Sequence, residues 1–168
     1  FSLYQFYVGA PIYRRGPFFK PERVGLDHGV SAESHSWLRY CERKYDVRII
    51  SGHNDGEVSV SRRNYPVDGF APPTKIGDRG MCFQYNGCYY HGHECEENNI
   101  ASIVAASDLP PHEMGNRYNE LRKEARLLMK HTIRKRDFLL SEGYDVVSIF
   151  SCQWAKQKKR KEVKDILI

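Results

Sequence analysis

The stretch Cys88-Tyr89-Tyr90-His91-Gly92-His93-Glu94-Cys95 places two thiols and two imidazoles within eight residues. A further cysteine, Cys152, closes an apolar run much later in the chain. Structural metal sites with four Cys or His ligands commonly take a close pair from one loop and the rest from a distant element. The stretch therefore indicates a metal site of the zinc type. It offers five candidate ligands for four positions, which leaves one of the two histidines free for another role.

The cysteines have two alternatives to metal binding. One is a chance grouping of buried cysteines with surface histidines, and the second is a disulfide. The chain has five cysteines, an odd number, and its composition is not that of a disulfide scaffold. The density of ligand-type residues therefore favours the metal. Cys41 and Cys82, which lie apart from the cluster, are expected to be small buried hydrophobic residues.

Length and charge narrow the class of protein. The chain has 168 residues, which is enough for one domain with a core of its own. Its formal net charge of +5 favours a polyanionic partner, with nucleic acid as the first candidate. No stretch approaches the roughly 18 apolar residues of a membrane span, so no membrane partner is expected. Because the chain starts at Phe1, we expect it to be a domain of a longer protein, with other domains of that protein as further partners.

Composition divides the chain into three parts. Residues 1–30 mix aromatic residues with glycine and proline and are predicted to be irregular. Residues 31–154 carry the helical and strand patterns and are predicted to form the domain. Residues 155–168 are predicted to be a basic tail, in which residues 156–161 (KQKKRK) resemble a nuclear localisation signal or a phosphate-contacting segment. A solvated terminal helix is an equal alternative for this tail.

Helical and strand patterns alternate within the domain. Ser31 is the predicted N-cap of a first helix, and a second helix is predicted over residues 115–141, ended by Gly143. Residues 46–60 are predicted to form a β-hairpin. Further strands are predicted over residues 65–70, 81–85 and 144–150. Since a helix separates the last strand from the others, a crossover to parallel or mixed pairing is expected, and the predicted class is α/β with helices covering a short mixed sheet.

Several short motifs occur together in a fixed order. They are Ser34 through Leu38 (SHSWL), Gly56-Glu57, Val67-Asp68-Gly69, Asn86 through Gly92 (NGCYYHG), and Gly143 through Val147 (GYDVV) followed by Cys152. This combination resembles the restriction-endonuclease-like superfamily, the PD-(D/E)XK nucleases. Within it, the chain is most similar to the very-short-patch mismatch repair endonucleases and to nuclease domains of eukaryotic mobile elements and of DNA viruses with protein-primed polymerases. The resemblance covers about Ser31 to Trp154.

The resemblance implies a fold, an activity and a location. The implied fold is a restriction-endonuclease-like core with a structural zinc site. The implied activity is magnesium- or manganese-dependent hydrolysis of DNA phosphodiesters, which makes DNA the expected partner. The implied location is the nucleus, or the intracellular site of a viral or mobile-element DNA.

The resemblance also assigns roles to individual residues. It implies zinc ligation by Cys88, His93, Cys95 and Cys152. His91 then falls where the mismatch endonucleases keep a catalytic histidine. Asp68 falls on the aspartate that holds the catalytic magnesium, in a site that would also include Gln84 and Tyr85. Glu33 matches an acidic residue that helps to bind metal-coordinated water.

One position departs from the family pattern. The mobile-element domains usually carry a glutamate four residues before the first zinc cysteine, and this chain has Gln84 there. An amide oxygen can coordinate a cation but brings no negative charge, so magnesium binding is expected to be weaker. The substitution is explained either by natural loss of activity or by a deliberate change of glutamate to glutamine. We therefore predict a metal-dependent endonuclease that Gln84 weakens or inactivates, with a non-catalytic DNA-binding module of the same fold as the alternative.

The lysine that usually follows the second acid is also missing. The basic residues Arg134, Lys135 and Arg136 are the candidates to supply positive charge against a phosphate, although a solvated helix face explains them equally well. A third hypothesis, a zinc-stabilised protein-interaction domain that uses the aromatic residues of 1–30, ranks below these two.

Overall fold

The computed structural model describes residues 31–54, 58–61, 63–75, 77–96 and 98–167. The predictions for residues 1–30 and for Gly56-Glu57 lie outside these ranges. Numbered in chain order, the helices are α1 (Ala32–Tyr45), α2 (Ile100–Ala105), α3 (Pro111–Ser141), α4 (Ser151–Gln157) and α5 (Lys161–Leu167). The strands are β1 (Ile50–Ser51), β2 (Val58–Val60), β3 (Tyr65–Val67), β4 (Gly69–Ala71), β5 (Met81–Asn86) and β6 (Asp145–Phe150).

A short mixed sheet lies at the centre of the domain, with helices packed on it. Its strand order is β1-β4-β5-β6, and β2 pairs separately with β3. β5 and β6 run parallel, with α3 as the crossover between them, whereas β1–β4 and β4–β5 are antiparallel. The predicted α/β class with a short mixed sheet is confirmed.

The predicted hairpin over residues 46–60 is wrong. β1 pairs with β4, with Ile50 opposite Phe70, and β2 pairs with β3. The Asn54 side chain explains the difference, because it accepts a hydrogen bond from the Ser51 N–H at 2.9 Å and donates to the Ile49 carbonyl at 2.8 Å. This side chain folds the turn back onto β1 instead of joining β1 to β2.

Helix α1 begins where the sequence predicts. The Ser31 hydroxyl accepts a hydrogen bond from the Ser34 N–H at 3.0 Å, an N-cap interaction that contributes about 1 kcal/mol. Trp37, Leu38 and Cys41 give the helix its buried face. They form one core cluster with Phe83 of β5, so α1 covers the face of the sheet toward which Phe83 points.

Helix α3 is longer than predicted and covers the opposite face. It starts at Pro111, and its 31 residues span about 46 Å. Leu139, near its end, is fully buried in a cluster with Cys82 of β5 and with Val58, Val60 and Val67. Gly143, at φ 90°, follows the helix end as predicted. Helix α2, which no sequence pattern predicted, packs against α3.

The segment after residue 154, expected to be a basic tail, is mostly helical. Trp154 is 0% exposed, and Val163 of α5 is buried in the same core cluster as the α1 side chains. This segment therefore adds apolar side chains to the core as well as surface charge. Within the described part of the chain, no helix is both long and apolar enough to cross a membrane.

Candidate functional site

The carboxyl ends of two parallel strands bring the Cys/His cluster together. Cys88 follows β5, and Cys152 lies in the first turn of α4 directly after β6. Because Asn86 and Phe150, the last residues of these strands, are paired neighbours, the chain leaves both strands at the same edge. The ligand atoms of Cys88, His93, Cys95 and Cys152 all lie within 4.8 Å of one another. These four residues can hold a metal ion.

The spacing of the ligand atoms fits a tetrahedral cation. The Nδ1 atom of His93 lies 3.4 Å from the Cys88 sulfur and 3.6 Å from the Cys152 sulfur. Zinc bonds of about 2.3 Å to sulfur and 2.0–2.1 Å to nitrogen, at a tetrahedral angle, place those atoms about 3.6 Å apart. The geometry is therefore consistent with structural zinc bound through His93 Nδ1.

Polar and aromatic contacts hold the ligands in position. Ser151 Oγ accepts from the Cys88 N–H and donates to the Cys88 sulfur, both at 3.1 Å. The Asn98 amide donates to the His93 carbonyl at 3.0 Å, and the His93 ring stacks on Phe150 at 4.1 Å between centroids. Contacts of this kind orient metal ligands before the ion binds.

The thiols influence one another's ionisation. Burial opposes ionisation of Cys88, but hydrogen bonds from the Ser151 side chain, the Cys152 backbone, and the His93 and Cys152 side chains lower its pKa to about 7. Burial and the neighbouring Cys88 and Cys95 raise the pKa of Cys152 to about 12. Ionisation of one thiol therefore opposes ionisation of its neighbour. A bound cation relieves this repulsion because it stabilises all the thiolates at once.

A second group of polar residues lies where β3 passes into β4. The Asp68 N–H donates to the Phe83 carbonyl at 3.1 Å, and an Asp68 carboxylate oxygen accepts from the Tyr85 N–H at 2.8 Å. Both bonds go to the neighbours of Gln84, so Asp68 lies beside Gln84 across the β4–β5 pair. Asp68 itself is exposed to solvent.

Gln84 points toward helix α3. Phe83 packs with the α1 cluster and Cys82 packs with Leu139 of α3. Alternate residues of a strand face opposite sides, so Gln84 shares the face of Cys82. Its side chain is only 3% exposed, and among the described residues its Nε2 atom has no hydrogen-bond partner. A buried amide in this state is satisfied by an ordered water, an ion or a ligand at the position it faces.

Lys135 brings a positive charge to Asp68. Its Nζ atom donates to the Pro66 carbonyl at 2.5 Å, two residues before Asp68. Burial lowers the pKa of Lys135, whereas the charge of Asp68 and the nearby Cys82 thiol act in the opposite direction. The ammonium therefore lies within electrostatic reach of the carboxylate. The two flanking residues on α3 have other surroundings. Arg136 pairs with Asp137 at 2.9 Å, and Arg134 lines a groove beside the 92–94 turn.

His91 is held against α3 by a threonine. Its Nδ1 atom lies 2.9 Å from Thr132 Oγ1, and that hydroxyl donates to the Leu128 carbonyl at 3.1 Å. A hydroxyl has one proton, so Thr132 accepts from His91, and Nδ1 carries the ring proton. Burial and the charge of Lys135 lower the pKa of His91 and favour the neutral ring. The Nε2 atom therefore keeps a lone pair that can accept a proton.

Glu33 has a different environment from the other predicted site residues. Its carboxylate lies 2.6 Å from Lys158 Nζ, between the start of α1 and the end of α4. Helix α1 covers the face of Phe83, and Gln84 points to the other face. The structure thus groups Asp68, Gln84, His91 and Lys135 around the α3 side of β5 and pairs Glu33 elsewhere.

Thr132 belongs to this group but was not predicted from the sequence. It orients His91, and its position three residues before Lys135 on α3 is the signal that could have drawn attention to it, because such residues share a helix face.

No family model, curated protein or solved structure matches the chain.

Proposed function

We propose that this domain is a metal-dependent DNA endonuclease of the PD-(D/E)XK type with a structural zinc. The observation that carries the proposal is the position of Asp68, which is bonded to the Tyr85 N–H beside buried Gln84 and faces the charge of Lys135. A carboxylate, an amide and a cation gathered where the β4–β5 pair meets α3 suit the charge changes of phosphodiester hydrolysis.

Magnesium or manganese would bind at Asp68 and Gln84, next to the backbone of Tyr85. The Gln84 Nε2 atom, which has no hydrogen-bond partner among the described residues, supports this site. Rotation of the amide group by about 180° places its oxygen where the nitrogen lies, and that oxygen can coordinate a cation. The bound cation would supply Lewis-acid stabilisation of the phosphate charge.

The remaining residues of the group have distinct roles in the proposal. His91, with its proton on Nδ1, offers Nε2 as the base that takes a proton from the attacking water. Lys135 places its ammonium against the developing charge of the phosphate, and Arg134 and Arg136 contact the neighbouring DNA backbone.

Zinc in this proposal is structural. Four protein ligands fill a tetrahedron and leave no open position for substrate or water. The ion would link the 88–95 turn to α4 and so keep His91 in place against Thr132. The basic run at residues 156–161 supports a nuclear location as part of the same proposal.

A non-catalytic DNA-binding module is the second candidate, and one observation favours it. Gln84 brings no charge, and the single carboxylate of Asp68 lies within reach of the Lys135 ammonium. These charges cancel, so the attraction for a divalent cation is weaker than in a site with two acids.

Nicking of supercoiled plasmid DNA with magnesium or manganese tests the two candidates. Nicking by the wild type that Asp68→Asn abolishes supports the endonuclease. Nicking only after Gln84→Glu supports the non-catalytic module. Absence of nicking by the wild type and by the Gln84→Glu variant, each with one zinc per chain, overturns the endonuclease.

A further inference from the structure

A groove of about 600 Å³ lies between the turn at Gly92, His93 and Glu94 and the middle of α3. The turn approaches the helix closely at Gly92, where an added Cβ atom would lie 1.9 Å from the Ala125 carbonyl oxygen. Only a glycine permits this approach. The groove opens beside this contact.

The α3 wall of the groove is strongly basic. Arg122, Arg126, Lys130 and Arg134 recur every fourth residue and are all exposed. At 1.5 Å per residue this stripe is about 18 Å long. Within the ranges that the structure describes, no ion pair engages any of these four side chains, whereas the nearby acids Glu120 and Asp137 pair with Arg117 and Arg136. Glu94 is the single carboxylate among the described residues that line the groove.

Apolar side chains lie between these cations. Ala125 and Met129 are partly buried, and Ile133 is 41% exposed. A strand of unpaired nucleotides combines a phosphate backbone, which suits the cations, with base faces, which suit an apolar surface. A duplex hides its base faces in the stack, and an acidic peptide lacks such faces unless it is rich in aromatic residues.

We propose that this groove binds a single-stranded segment of nucleic acid that leads to the candidate site, an inference that rests on the proposed action on DNA. The residues that line the groove are sequence neighbours of the residues in the candidate site. Gly92 follows His91 directly, and Ile133 and Arg134 lie between Thr132 and Lys135. With about 3.4 Å per nucleotide of a stacked strand, the basic stripe accommodates about five nucleotides. The substrate class is therefore DNA with an unpaired overhang or flap next to the scissile bond.

Fluorescence anisotropy with a labelled dT 12-mer, a duplex of equal length and an abasic 12-mer tests the groove. Divalent cations are omitted so that no strand is cleaved. The groove variant is Arg126→Gln with Lys130→Gln. The matched control, Lys75→Gln with Arg79→Gln, removes one lysine and one arginine charge from an exposed loop between β4 and β5.

The groove variant is expected to lose about tenfold in affinity for dT and to reduce the salt slope by about 1.4, whereas the control changes little. The wild type is expected to prefer dT to the abasic strand, and Ile133→Ala to reduce that preference. Three results would overturn the proposal. They are an equal loss of dT affinity in both double variants, wild-type binding of duplex as tight as binding of dT, and displacement of labelled dT by polyglutamate as effective as displacement by unlabelled dT.

The nicking assay separates this inference from the proposed function. Selective binding of dT in a protein that nicks no DNA overturns the endonuclease and retains the groove. Nicking that persists in the groove variant on substrates with and without an overhang overturns the groove alone.

Discussion

The carboxylate of Asp68 accepts a 2.8 Å hydrogen bond from the backbone N–H of Tyr85, 17 residues further along the chain. This bond fixes an exposed acidic side chain beside buried Gln84, on a backbone that two antiparallel strands hold rigid. A carboxylate positioned in this way loses little entropy when it binds a cation. The bond connects the fold directly to the proposed chemistry.

Replacement of Asp68 by asparagine is expected to abolish Mn²⁺ binding at this site with little effect on the fold. The asparagine oxygen still accepts from the Tyr85 N–H, so the free energy of unfolding should change by about 1 kcal/mol or less. The negative charge is lost. Electron paramagnetic resonance titration measures Mn²⁺ binding, and metal analysis confirms one zinc per chain. Unchanged Mn²⁺ affinity would contradict the assignment of Asp68.

Gln84→Glu is expected to raise Mn²⁺ affinity and any nicking rate by at least about tenfold, because a second carboxylate then faces the cation. Without a divalent cation, the same buried carboxylate should destabilise the protein. Asn86→Asp is the matched control, since it makes the same change at another buried position of β5. Equal gains in both variants would show that added charge alone is responsible.

Zinc removal is expected to expose a defined set of thiols to alkylation. Cys88, whose pKa is lowered to about 7, loses its cation and becomes the most reactive thiol. Burial raises the pKa of Cys41 and of Cys82 to about 12 and keeps both as unreactive thiols. Mass spectrometry after alkylation, with and without a chelator, measures the modified sites. Labelling of Cys82 before Cys88 in folded protein would refute this ordering.

Gly92→Ala is expected to destabilise the protein by more than about 2 kcal/mol. The residue has φ of 65°, and the added Cβ atom would meet the Ala125 carbonyl oxygen. The control is Gly115→Ala in α3, where a Cβ atom has open space and should stabilise the helix by about 0.5–1 kcal/mol. Thermal unfolding of both variants tests the pair, and equal melting temperatures would contradict the close contact.

Thr132→Val is expected to release His91 from its Nδ1–H tautomer, because valine cannot accept the ring proton. Nitrogen chemical shifts of the ring report the change directly. If the protein nicks DNA, the rate should fall by about a hundredfold. Thr132→Ser keeps the hydroxyl and should restore both the tautomer and the rate. Identical spectra for the valine and serine variants would exclude a positioning role for Thr132.

Parts of this protein that depend on neighbouring residues could be predicted from the sequence. The Ser31 cap, the helix ending near Gly143 and the strand before Cys152 follow from local hydrogen bonding and apolar periodicity. The Cys/His stretch indicated a metal site because four ligand-type side chains lie within eight residues. Residue spacing left open which histidine completes the cluster, and the resemblance named His93, which the structure places beside Cys88 and Cys152.

Tertiary packing decided the rest. β1 lies against β4 because Asn54 folds the turn back onto β1. Lys135 reaches Asp68 because Leu139, one turn later on α3, is buried against β5, while Glu33 is paired with Lys158. The sequence by itself determined the elements and the metal-ligand types, since these follow from contacts over a few residues. The three-dimensional structure determined which distant side chains meet, since that depends on how buried apolar faces pack together.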